Sequence, residues 1–138
     1  MTGTITQSPV RAYRPTPSDV LRLDGVVSGI LAIALLGLGS PLAALLDLPV
    51  GLLRGVGGFL IAFAAVILWL AGRPVIPRGA LLAVAGINLV WAIDSVVLLL
   101  TGWVEPSAIG VAFVLLQAAA VLSFAWLQIL AARRPGSS

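Results

Sequence analysis

The chain has 138 residues, 60% of them apolar, and its eight basic and five acidic side chains leave a formal charge of +3. Water-soluble domains carry about a quarter charged residues, so a 9% charged content with mean hydropathy +1.15 excludes an ordinary globular fold, and also disorder. An integral membrane protein is expected, with room for about four helical spans of ~20 residues. There is no cysteine and no histidine. Disulfides, thiol chemistry, imidazole ligation of haem, the usual zinc centres and a neutral-pH imidazole switch are thereby excluded. All the basic residues are arginine and lie scattered along the chain, which fits membrane orientation better than nucleic-acid binding. With heavy use of Ala, Leu, Val and Gly, they suggest a GC-rich bacterial source.

Residues 1–19, rich in Thr, Ser and Pro, read as a flexible cytoplasmic tail with no apolar face to bury. Uncharged stretches follow at 25–46, 55–72 and 106–132, and a fourth, 79–104, is interrupted only by Asp94. Each is long enough to cross ~30 Å of hydrocarbon as a helix. Spans are expected near 22–40, 50–72, 79–101 and 106–131, forming a domain over 20–132 with a short tail at 133–138. Ser40-Pro41 begins a short amphipathic segment over 41–46, expected at the interface before Asp47-Leu48-Pro49 turns the chain. Gly72-Arg73-Pro74, Pro77-Arg78-Gly79, Glu105-Pro106 and Arg133-Arg134-Pro135 punctuate the remaining ends. Gly37-Leu38-Gly39 has the small-residue spacing of a signal-peptide cleavage site. The length of the apolar segment and Asp24 in its basic flank favour a retained helix instead.

Arg11, Arg14, Arg22, Arg73, Arg78, Arg133 and Arg134 fall on one side of this layout, leaving Arg54 alone on the other. Cytoplasmic segments collect positive charge, so the fold class expected is an all-α bundle of four transmembrane helices with both termini inside. Trp69 and Trp126 then lie near the inner interface and Trp103 near the outer. A weak repeat aligns Gly55-Val56-Gly57-Gly58-Phe59-Leu60 with Gly110-Val111-Ala112-Phe113-Val114-Leu115, which would make the two helical hairpins a parallel duplication.

Six residues form a candidate intramembrane polar cluster: Asp94, Arg54, Asn88, Trp91, Ser95 and Gln117. Asn88, Trp91, Asp94 and Ser95 share one sector of the third span at ~100° per residue, so that face is expected to point inward. A carboxylate in hydrocarbon costs roughly 2.5–3.5 kcal/mol on insertion scales and seeks a partner. Arg54 is the natural one, and Asn88 with Gln117 is a second expected pair, since both fall near the midplane. Against a proton-titrating or ligand-binding role for Asp94 stands a purely structural pair. Asp24 reads as an acid favouring the helix N-terminal dipole, and Gln128 as a contact for lipid headgroups. Gly25 with Gly29, and Gly51 with Gly55, have the spacing that lets membrane helices approach closely.

The four-span layout and the stretch Leu46-Asp47-Leu48-Pro49-Val50-Gly51-Leu52-Leu53-Arg54 resemble small, functionally uncharacterised four-helix bacterial integral membrane proteins. In size and layout the chain is similar to DoxX-type proteins. That resemblance implies a fold class and a bacterial inner membrane, with no activity or site residue. No catalytic constellation, metal-ligand set or phosphate loop is present in the sequence, so no cofactor is expected. The function expected is that of a non-enzymatic accessory or scaffold component, with the bilayer and other membrane proteins or further copies of itself as partners. The alternative is a small oligomeric transporter or channel subunit using Asp94 and Arg54. A lipid-modifying or quinone-linked enzyme ranks last for want of Cys and His.

Overall fold

A computed structural model describes residues 16–133. They form five helices and no strand: α1 (Pro17–Gly37), α2 (Gly39–Leu46), α3 (Val50–Ala71), α4 (Arg78–Thr101) and α5 (Ala108–Ala132). All but α2 are long and apolar enough to cross a membrane. Residues 1–15 of the expected tail, and Arg11, Arg14 and Arg134 of the orientation argument, lie outside the described residues.

Local chemistry explains the boundaries. Thr16 caps α1, its hydroxyl accepting from the Asp19 amide at 3.1 Å, and Pro17 occupies the first turn where its missing N–H costs nothing. The helix therefore starts inside the stretch read as tail, five residues before the expected position of the first span. Pro49 and Pro77 sit in extended backbone immediately before α3 and α4. Ser107 caps α5 by accepting from the Gly110 amide at 3.1 Å. Gly102 ends α4 in the left-handed region at φ 79°, where a side chain would be strained. Asp47 ends α2 at φ 56°, a conformation that aspartate tolerates better than most residues.

The long helices pair as two hairpins. α1 packs along α3, and α4 packs along α5. Apolar burial gives little drive between helices in lipid, so close van der Waals approach has to supply it. Glycines permit that approach on α1 and α3. A Cβ at Gly25 would strike the Leu68 side chain at 2.6 Å, and one at Gly57 would meet Leu36 at 2.9 Å and the Ala32 carbonyl at 3.2 Å. The hairpins join through α1 and α5, while α3 and α4 scarcely meet along their backbones.

Two apolar clusters fill opposite ends. Val20, Leu21, Ile67, Leu70, Leu81 and Ala131 bring the start of α1, the end of α3, the start of α4 and the end of α5 together. Both ends of the described chain thus share one end of the bundle. Ala32, Leu35, Leu46, Leu53, Leu60 and Val114 pack at the other end, beneath α2. α2 is clasped there to α5: the Ser107 amide donates to the Leu46 carbonyl and its hydroxyl to the Leu45 carbonyl, each at 3.0 Å. These bonds satisfy carbonyls that the end of a helix leaves open.

Candidate functional site

The described polar side chains inside the bundle fall into two groups at different depths. The first lies toward the termini and unites Asp24 and Ser28 of α1, Asn88 of α4 and Gln128 of α5. Asp24 is 1% exposed and Gln128 fully buried. The Asn88 amide donates to Asp24 Oδ2 at 3.0 Å and to Gln128 Oε1 at 2.9 Å. Gln128 Nε2 donates to Asp24 Oδ2 at 2.6 Å, and Ser28 Oγ to Asp24 Oδ1 at 3.1 Å. No buried side-chain polar atom among the described residues lacks a partner. The cluster is closed and ties three helices, as a buried polar group must be tied to be tolerated.

Sequence reasoning placed two of these residues elsewhere. Because α1 starts at Pro17, Asp24 lies about two turns inside the helix and faces α4 and α5 rather than the N-terminal dipole; Asp19 occupies the first turn. Gln128 points into the core rather than toward headgroups, with small neighbours Ala125, Ala131 and Ala132 buried beside it along α5. Asn88 accordingly pairs with Gln128 and Asp24, and not with Gln117.

The second group lies nearer the α2 end. Trp91 Nε1 donates to Gln117 Oε1 at 2.9 Å, and Gln117 Nε2 donates to Ser95 Oγ at 2.9 Å and to the Val114 carbonyl at 2.8 Å. Ser95 Oγ in turn donates to the Trp91 carbonyl at 2.8 Å. These three residues border a cleft of about 260 Å³ whose remaining walls are Leu, Val and Phe side chains of α1, α3, α4, α5 and the α2–α3 turn. Asp94 lies on the rim of this cleft, and with Trp91 and Phe59 also on a groove along the seam between α3 and α4. Trp91 and Phe59 stack across that seam, with centroids 5.3 Å apart and planes 13° from parallel.

Arg54 does not meet Asp94. Its Nη2 donates instead to Ser40 Oγ on α2 at 3.2 Å, which draws the guanidinium toward the end of the bundle. Among the described residues Asp94 has neither a hydrogen bond nor an ion pair. The structure therefore brings Trp91, Ser95, Gln117 and Asp94 to one cleft, puts Asn88 in the closed cluster, and leaves Arg54 on the α2 surface. Of the glycines, Gly25 and Gly29 face α3, the latter opposite Ala64, whereas a Cβ at Gly51, Gly55 or Gly58 would meet nothing within 4 Å.

No group of three or more metal-ligating side chains occurs among the described residues. No protein-family model, curated protein or solved structure matches the chain. The resemblance to DoxX-type proteins therefore rests on layout alone, and the structure itself carries the coarser conclusion: a helical protein with four candidate membrane spans.

Proposed function

We propose that this chain is a non-enzymatic component of a bacterial inner-membrane assembly, inserted with both termini in the cytoplasm and α2 at the outer interface. The observation that carries the reading is the open glycine stripe of α3. Gly51, Gly55 and Gly58 recur at helical spacing on an exposed face, continued by Ala62, and no described residue of this chain covers them. Small residues at that spacing are what a second membrane helix packs against. Gly25, Gly29 and Gly57 are already used inside the hairpin, so the stripe is surplus to the fold. Extraction in a mild detergent should give a particle heavier than the 14.2 kDa monomer, and Gly55→Leu should reduce it to the monomer without lowering the melting temperature. A wild-type chain recovered alone as a monomer would sink the accessory reading.

The alternative, a transporter or channel subunit, draws on the cleft bordered by Asp94. Against a path through a single copy stands the other half of the bundle, where Leu21, Leu81, Gln128 and Ala131 are fully buried. Any conduction would need further copies. Proteoliposomes holding the purified chain should show no ion flux above empty vesicles. Flux that Asp94→Asn abolished would move the assignment to this alternative.

A further inference from the structure

The cleft near α2 has an unequal supply of hydrogen-bonding groups. The side-chain donors of Trp91, Ser95 and Gln117 on its walls are spent within the protein. The Trp91 N–H goes to Gln117, both Gln117 amide bonds go to Ser95 and Val114, and the Ser95 hydroxyl goes to the Trp91 carbonyl. What remains unused is acceptor capacity: both oxygens of Asp94, and a second lone pair on Gln117 Oε1. The other walls are aliphatic, apart from Phe113 and the Trp91 indole. Electron-rich ring faces favour a cation, as an acceptor-only carboxylate does.

The position suits a molecule arriving from the bilayer. Asp94 lies seven residues from the end of α4, about 10 Å below it at 1.5 Å per residue. It borders both the cleft and the lipid-facing groove at the seam where α3 and α4 scarcely meet. The volume of about 260 Å³ falls just below the ~300–1,000 Å³ of drug-sized sites, so it fits a small apolar body.

We infer that this cleft is a binding site for a small amphiphilic ammonium compound, its apolar body among the Leu, Val and Phe walls and its cationic nitrogen on Asp94. This goes beyond the accessory role and does not depend on it. A free hydrophobic amine and an aminolipid headgroup offer the same chemistry. A neutral carbonyl compound such as a quinone brings no cation to Asp94, and the Trp91, Ser95 and Gln117 donors are already taken. An anion would meet Asp94 with like charge.

The test compares 2-phenylethylammonium with its neutral and anionic counterparts, 2-phenylethanol and phenylacetate. Binding to the full chain in maltoside micelles is measured by calorimetry against protein-free micelles. The cation should bind about tenfold tighter than the alcohol, and phenylacetate should not bind. Asp94→Glu should keep that preference and Asp94→Asn should remove it. Since Asp94 holds no hydrogen bond within the fold, both variants should melt with the wild type; if either does not, the three-ligand comparison on wild type still decides. Phosphatidylethanolamine added to the micelles displaces the cation if a headgroup is the natural occupant and leaves it bound if a free amine is. Equal affinity for cation and alcohol overturns the assignment. So does an absence of cation binding by the wild-type chain.

Discussion

Three donors from three helices converge on Asp24, and removing their acceptor strands the buried Gln128 amide and the Ser28 hydroxyl. Asp24→Ala should cost about 1–3 kcal/mol, the range for leaving buried polar groups unsatisfied, read as a lower midpoint in detergent unfolding. A cycle with Gln128→Ala should show coupling, since the two side chains meet at 2.6 Å. Arg54→Gln should change stability by well under 1 kcal/mol, because its one side-chain bond, to Ser40, is exposed. The difference between Asp24 and Arg54 was partly legible in the sequence. Thr16-Pro17-Ser18-Asp19 is a helix start, with a capping hydroxyl, a proline suited to the first turn and an acid three residues on. Reading it as tail put Asp24 at the helix mouth, whereas the cap puts it and Ser28 one turn apart on a buried face. Gln128 carried a fainter signal, its small alanine neighbours. Which partner Asn88 would choose depended on the rotation of α5, and one sequence does not settle a rotation.

Among the elements, the bounds of α3 and α4 followed from proline and glycine punctuation to within a residue, whereas α1 runs over Pro17–Gly37 rather than 22–40 and α2 begins at Gly39 rather than 41. α2 was expected as a short segment, but its clasp to α5 was not foreseen, because Leu45 and Leu46 meet Ser107 across some sixty residues of chain. At Gly110 a Cβ would collide with the Leu46 carbonyl oxygen, a backbone atom that cannot rotate away. Gly110→Ala should therefore cost about 1–3 kcal/mol, as overpacking does, visible as a lower melting temperature. Gly51→Ala, with open space around it, should leave that temperature unchanged. Four glycines at similar spacing look alike in sequence. Only the helix rotations separate the pair that packs inside the hairpin from the pair that does not.

For the whole molecule, four candidate spans were written in composition and hydropathy, and the shared end of the first and last described residues follows from their even number. The sidedness proposed from arginine placement is directly testable, because the chain has no native cysteine. Glu105→Cys, in an exposed α4–α5 turn, should react with a membrane-impermeant maleimide on intact cells. Val75→Cys, exposed at the opposite end, should react only after lysis. The reverse pattern would invert the topology.

The uneven packing among the four long helices also bears on biogenesis. Each hairpin holds its own tight interface, and between the hairpins lie the α1–α5 contact, the two apolar end clusters, the Asp24 cluster, the Ser107 clasp and one aromatic stack. Such a chain can insert as two separately stable halves that dock afterwards in the plane of the bilayer. The covalent link over 72–77 then guides partnering more than it holds the fold. Two fragments broken at Pro74-Val75 and co-expressed should co-purify as one particle, and neither Asp24→Ala nor Gln128→Ala should allow them to do so as well.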